Sequence, residues 1–480
     1  MLSIVRFPRR RNPEHRGTCF ISILPDEVLG EILAYLPPRT DLYSEPEYED
    51  CPPISLVCKH WERVYDATLY RRIRFVEYPA WQTRRTSKVV KILQQQADLR
   101  KHVRDVSVEI WHPSEATCRT IANFIESCQA TRTVSLHLGW SATVWPIIEA
   151  IEMLPRLESL RLSGYDSGPS LQMILGRFNK QTLKVVELFR YGLGRNDSPR
   201  APWHPVEPPS QDAIDTCSLL ARSHATAMTS VDLRDPSTSP QCTETFLRWP
   251  LTLVRLSLSQ LTHSAYWSQY TLDAVETILS IHRESLQHIM VGIIPRKCTE
   301  GDPYRWSGIP NFSKFRRLRE LHLSAYNLLA EKPSEAAVKL AAPVLRQLAM
   351  TFCTEDQHSE SSLDFREDEV LWMADFASQI SNAETKSNLE GVFVDFNPDW
   401  ETSSLYSNKH MPWPWEHVEE AKQKLSQWNI NMTHSKPGCT RDEWDQRVME
   451  NRRAEEARIG LLRIDRCLES RESIGAAEDV

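Results

Sequence analysis

The chain has 480 residues, of which 41 % are hydrophobic and 25 % charged, and its formal net charge is −7. That length is too great for one compact core, so two to three domains or one elongated array are expected, with ample apolar material to bury. The acidic balance argues against nucleic acid as a partner while leaving room for a local basic patch, and no apolar run approaches a membrane-spanning helix, so no membrane partner is expected.

The eleven cysteines run from Cys19 to Cys467 with no C-x-x-C pair, and no His or Cys partners complete a zinc site beside Cys51 and Cys58. Reduced thiols in a cytoplasmic or nuclear protein are therefore expected, without a metal. Asn196, Asn311 and Asn431 each open a glycosylation triplet, which means little where no secretion signal is visible. Residues 1–19 read as a flexible basic arm around Arg9-Arg10-Arg11, with a nuclear address as the other reading.

Residues 20–76 read as a small helical unit. Pro25 suits the first position of a helix, where its missing N–H costs nothing, and Asp26 and Glu27 set negative charge against the positive end of the helix dipole. Val28, Leu29, Ile32, Leu33 and Leu36 recur at helical spacing until Pro37-Pro38 stops the run. A Pro-containing acidic loop, 39–53, holds Asp41, Glu45, Glu47, Glu49 and Asp50. Beyond it Ile54, Leu56, Val57 and Trp61 supply apolar mass, and Val64, Leu69, Tyr70 and Ile73 continue a helical pattern. Three such short helices leave apolar surface exposed, and exposed patches mark partner sites.

From residue 80 to about 400 an L-x-x-L-x-L unit returns. Its clearest copies are Leu157–Leu162, Leu253–Leu258 and Leu318–Leu323, and looser ones start at Val103, Thr131, Leu183, Met228, Leu286, Leu345 and Leu389. Most successive copies lie roughly 24–33 residues apart, with two wider gaps. The alternating part puts two side chains on one face of a short strand. Helical stretches at Thr117 to Cys128, Thr143 to Met153, Asp212 to Ser223, Leu272 to Arg283 and Asp368 to Ser381 fall between copies. A strand–turn–helix unit that stacks on its neighbours buries one continuous apolar layer. Counting by two places Arg161, Glu187, Asp232, Arg234, Arg255, His322 and Asp395 on the opposite, concave strand face, where they are candidates to grip a client protein or simply form a solvated sheet face. Residues 401–439 form an aromatic and proline-rich loop region with a short helix. Trp400, Trp413 and Trp415 in or beside it are candidates either for an interface or for sealing the end of the array. Thr440-Arg-Asp-Glu443 is a capping box that opens a charged C-terminal helix and tail over 440–480.

The order Leu24-Pro-Asp-Glu, Ile32-Leu-x-x-Leu36, Ser55-Leu-Val-Cys-Lys-x-Trp61 and Leu69-Tyr-Arg71 resembles the F-box family, and the later repeat extends this to F-box proteins of fungal type with irregular leucine-rich repeats. The expected architecture is α/β: an N-terminal three-helix F-box, an irregular leucine-rich-repeat solenoid and a C-terminal helix. The resemblance implies a non-catalytic substrate receptor without cofactor, binding the Skp-type adaptor of a cullin–RING ubiquitin ligase. It gives Leu24 and Pro25 the first adaptor contact, divides Val28, Leu29, Ile32 and Leu36 between the adaptor groove and the domain's own core, and gives Leu56, Val57 and Trp61 a second patch. The loop 39–53 departs from the short turn usual in the family, and it stands either as a weakening of adaptor binding or as a modification site. The alternative is a leucine-rich scaffold whose F-box is vestigial or independent of a ligase. No phosphate loop, H-E-x-x-H run or nucleophile elbow occurs to argue for an enzyme.

Overall fold

A computed structural model of the chain describes residues 25–26, 28–29, 64, 70–76, 90–91, 93, 95–110, 114–138, 144–164, 177–178, 182–190, 227–236, 238–261, 269–294, 307–352, 365–382, 388–396, 413, 415–450 and 452–453. Twelve strands form one sheet in which lateral order is sequence order. They are β1 (Arg72–Val76), β2 (Asp105–Ile110), β3 (Thr133–Leu138), β4 (Ser159–Gly164), β5 (Val185–Phe189), β6 (Ser230–Arg234), β7 (Arg255–Ser259), β8 (His288–Val291), β9 (Glu320–Ser324), β10 (Gln347–Thr351), β11 (Gly391–Asp395) and β12 (Asn431–His434). The helices are α1 (Ala97–Arg100), α2 (Glu115–Ser127), α3 (Trp145–Glu152), α4 (Pro240–Leu247), α5 (Leu272–Ser280), α6 (Ala325–Leu329), α7 (Pro333–Lys339), α8 (Glu367–Asn382) and α9 (Trp415–Ser426), with a further helical run over 441–450.

The chain divides into two compact units, the first made of residues 1–110, 115–135 and 146–156, the second of 111–114, 136–145 and 157–480. In the first, β1 runs parallel to β2 with Ile73 beside Val106 and Phe75 beside Val108, and all four are buried. The apolar side of α2, with Cys118, Ile121, Phe124 and Ile125, is buried too. The Phe75 and Phe124 rings meet edge to face at 5.3 Å. The helical pattern expected through Ile73 therefore stops short of it. Ile73 and Phe75 alternate with Arg72 and Arg74 and are drawn into a strand by their parallel partner, a tertiary override of local pattern.

In the second unit β4 to β12 form an unbroken parallel ladder. Each L-x-x-L-x-L copy from Leu157 on supplies a strand. The inner row Leu160, Val186, Val231, Leu256, Ile289, Leu321, Leu348, Val392 runs in register, and each of these side chains is at most 1 % exposed. Burial on this scale contributes about 1.5–3 kcal/mol per side chain before ordering costs. The first leucine of each copy also sinks, as Leu157, Leu253, Leu286, Leu318 and Leu345 show at 0 % exposure. The residue just before each strand extends the ladder by one rung, as in Arg319 N–H to Gln287 O at 2.8 Å and Arg346 N–H to Arg319 O at 2.9 Å. Behind the strands α4 packs on α5, α7 on α8 and α8 on α9. The expected helices are found as α2, α3, α5 and α8, while the expected helix over Asp212 to Ser223 lies outside the described residues.

Two polar devices tie the irregular segments down. Asn327 is 2 % exposed. Its Oδ1 accepts from Ile294 N–H at 2.9 Å, and its Nδ2 donates to the carbonyls of Ile294 at 2.9 Å and Ser307 at 2.5 Å. Glu331, 8 % exposed, accepts from Ile309 N–H at 3.1 Å and from Lys339 Nζ at 2.5 Å. At the carboxyl-terminal side the expected capping box forms, with Thr440 N–H donating to Glu443 Oε2 at 2.8 Å and Glu443 N–H to Thr440 Oγ1 at 3.3 Å. The Thr440 N–H, followed by its hydroxyl, holds the Glu443 carboxyl below the usual carboxylate range.

Candidate partner-binding surfaces

At the amino-terminal helix, the Pro25 carbonyl accepts the Leu29 N–H at 3.0 Å, closing the first turn. Pro25 is exposed. Val28 is 42 % exposed and Leu29 0 %. A step of about 100° around the helix thus separates an outward side chain from a core one. Val64, helical and 7 % exposed, also lies inside. Leu24, Ile32, Leu36, Leu56, Val57, Trp61 and the loop 39–53 lie outside the described residues.

The second surface is the outer face of the sheet. All seven residues placed there by counting do lie on it, at least partly exposed, because their strand neighbours on either side fill the inner rows. On β4 to β6 the face is charged and largely self-neutralised. Arg161 Nε lies 2.9 Å from Glu187 Oε2 on the next strand, and Glu187 stands beside Asp232. Arg234 sends Nε and Nη2 to Asp232 Oδ2 at 2.9 and 2.7 Å. Asp232 Oδ1 is buried and meets no hydrogen-bond partner among the described residues. Beside the strand ends Arg190 Nε reaches Asp235 Oδ2 at 2.8 Å. The Arg161–Glu187 pair, whose arginine is exposed, contributes about 0–1 kcal/mol, while the Arg234–Asp232 and Arg190–Asp235 pairs set an exposed guanidinium over a largely buried carboxylate.

From β7 to β11 the same face changes character. Arg255 stands beside His288, and His288 Nδ1 lies 2.8 Å from Glu320 Oε2. The next row runs Met290, His322, Ala349, Phe393 in register. Met290 is 39 % and Phe393 36 % exposed. Loss of water around the His322 ring, although its side chain stays on the outer face, pushes its pKa below the ordinary imidazole value. Glu320 and Asp395 pull it back up and His288 pushes it further down. Met290 and Phe393 were not among the residues expected on this face, all of which are polar or charged. The signal was present: Ile289-Met290-Val291 and Val392-Phe393-Val394 are apolar at every position, where a one-sided strand alternates.

The third candidate is an aromatic cluster around α9 and the start of the 441–450 helix. Trp415 is 2 % and Trp444 0 % exposed. Trp413, partly exposed, has its ring 4.6 Å from that of Trp415 and 6.2 Å from that of Trp444, and the last two lie 5.9 Å apart. Phe396 extends the cluster to β11 at 6.1 Å from Trp415. The start of the 441–450 helix thus packs through Trp444 onto the start of α9. Trp400 lies outside the described residues.

Among the described residues no His, Cys, Asp or Glu cluster suits a metal ion. The Cys118, Cys128 and Cys242 side chains are buried, and burial pushes the Cys128 thiol up to about 11. No curated protein matches this chain. Residues 21–76 match the F-box-like family model, so the chain carries an F-box-like region, whose last residues are those of β1.

Proposed function

We propose that this chain is the substrate-recognition subunit of a Skp–cullin–F-box ubiquitin ligase. The observation that carries the reading is the F-box-like match over residues 21–76, since F-box domains dock on the Skp adaptor and through it join a cullin–RING ligase. The outward Pro25 and Val28 beside the inward Leu29 support the division of that helix between adaptor and core. The ordered parallel strands with sunken leucines support reading the region after the F-box as an irregular leucine-rich-repeat solenoid. Its outer face, charged at β4–β6 and mixed with Met290, His322 and Phe393 at β8–β11, is where a client protein would lie. The chain performs no bond chemistry. It raises the effective concentration of a client lysine at a ubiquitin-charged enzyme.

The test is co-purification of the Skp adaptor with the full chain and with a Leu24→Ala/Pro25→Ala variant, in cytoplasmic and nuclear fractions. The reading expects adaptor with the first and none with the second, at equal thermal stability. Equal recovery from both refutes the assigned contacts. A wild-type chain that captures no adaptor yet holds another protein stably supports the scaffold reading instead.

A further inference from the structure

The strand-entry side of β8 to β10 holds a cleft of about 300 Å³ lined by Gln287, Arg316, Arg317, Arg319, Val344 and Arg346. Four guanidinium groups around one small space are unusual in a chain whose formal charge is −7. Their placement is rigid at the backbone. Gln287, Arg319 and Arg346 are successive rungs of the entry ladder, joined at 2.8 and 2.9 Å. Arg316 and Arg317 form a turn clamped between the buried Phe315 and Leu318, and Leu318 N–H bonds Phe315 O at 3.3 Å across it. Arg346 has one weak counter-charge, Glu390 at 3.7 Å, with both side chains at least 60 % exposed. Among the described residues Arg316, Arg317 and Arg319 make no ion pair or side-chain hydrogen bond. Like charges gathered at fixed positions without internal compensation favour an anion between them.

We infer that this cleft is a phosphate-binding site whose ligand is a phosphomonoester group. A phosphomonoester carries about −1.5 to −2 charge at pH 7 and three strong acceptor oxygens, which several guanidinium forks can share, each through paired N–H donors. A carboxylate has two oxygens and one charge and leaves most of these donors unused. The site stands whether or not the chain serves a ligase. The phosphate can arrive on a modified side chain of a bound protein or on a free small molecule, and the chemistry at the arginines is the same.

The experiment is calorimetric titration of the full chain at constant ionic strength, with three probes: glycerol 3-phosphate as a small phosphomonoester, a phosphoserine peptide and the same peptide with unmodified serine. The variants are Arg316→Ala/Arg319→Ala, Arg319→Lys and, away from the cleft, Arg283→Ala. The expected result is binding of at least one phosphorylated probe and none of the serine peptide. Each arginine removed from the cleft in Arg316→Ala/Arg319→Ala should weaken binding by about tenfold to hundredfold. Arg319→Lys, which keeps charge and loses the fork, should fall between, and Arg283→Ala should leave affinity unchanged. Tighter binding of the phosphopeptide identifies a protein-borne phosphate as the source, and tighter binding of glycerol 3-phosphate a free one. No binding, equal binding by the cleft variants, or single-stranded DNA outcompeting both phosphorylated probes overturns the assignment. Adaptor co-purification, measured on the same preparations, is indifferent to all of these outcomes.

Discussion

Replacing Asn327 by Ala should be among the most costly single changes in the second unit, although no charge is involved. The side chain makes three hydrogen bonds inside the protein, at 2.9, 2.9 and 2.5 Å. The Ile294 carbonyl keeps other donors, since Ser307 Oγ and Ser307 N–H reach it at 2.9 and 3.3 Å. The Ile294 N–H, in a residue only 1 % exposed, and the Ser307 carbonyl lose the Asn327 partner. At about 1–3 kcal/mol for each buried group left unsatisfied, the expected loss is about 2–4 kcal/mol, the lower part of the Ser307 share reflecting its partial exposure. Asn327→Asp sharpens the test. A carboxylate keeps the bond from Ile294 N–H but turns its second oxygen toward two carbonyls, so ionisation is disfavoured and the folded-state pKa rises above the unfolded value of about 3.9. A raised carboxyl pKa gives stability that is present below the unfolded pKa and lost as pH rises through the folded one. Urea denaturation at pH 5 and pH 7.5 should therefore find the gap between Asn327→Asp and wild type narrower at the lower pH, while the Asn327→Ala gap stays constant. Hydrogen exchange should show the Ile294 amide opening first in Asn327→Ala. A loss below about 0.5 kcal/mol for Asn327→Ala, within the range of ordinary surface changes, would refute the argument that this residue pins the segment.

Gly308→Ala should destabilise by about 2–4 kcal/mol in the same assay, because a Cβ there runs into the Glu331 carboxylate, which Ile309 N–H and Lys339 hold in place; Gly391→Ala should cost clearly less, since it meets only the tip of the exposed Gln347 side chain. Burial holds the His282 imidazole below its ordinary pKa, against the opposing bond to the Leu247 carbonyl at 2.6 Å. Its neutral form is the folded one, so stability should fall as pH drops below about 6.5, where the unfolded chain takes up the proton more readily, and His282→Gln should flatten that part of the titration in thermal melts. Val28→Glu should leave the melting temperature unchanged and abolish adaptor capture, whereas Leu29→Glu, at a side chain with no exposure, should lower the melting temperature itself; equal effects of the two on stability would show that both side chains lie in the core.

The strand series was legible in the sequence because a parallel strand anchored by leucines repeats one pattern: a sunken first residue, then two inward positions separated by one outward. Leu157, Leu160 and Leu162 illustrate it with exposures of 0, 0 and 1 %. The two outermost strands were not read for opposite reasons. Ile73 and Phe75 fit the pattern but sit in a stretch whose spacing also suits a helix, and only pairing with Val106 and Val108 decides it. At β12 the pattern has worn down to Met432 alone, with His434 in the second inward position and edge placement relaxing the demand for bulk. The outer-face residues were placed correctly by parity, but parity does not report which of them pair. Arg161 finds Glu187 across a register set by the whole ladder, and Arg234 turns back along its own strand to Asp232. The arginine cleft was hidden for the same reason. Lys314-Phe-Arg-Arg-Leu-Arg319 shows as a short basic run, yet Arg346 and Gln287 come to it only through neighbouring rungs.

Each strand of the sheet adjoins the ones that precede and follow it in the chain, and the intervals are modest, from 25 residues between Val231 and Leu256 to 45 between Val186 and Val231. A polypeptide wired this way never has to wait for a distant partner. As it leaves the ribosome, each newly completed strand finds its template already emerged, so assembly can proceed vectorially, with loop-closure penalties that stay small and nearly constant from one step to the next.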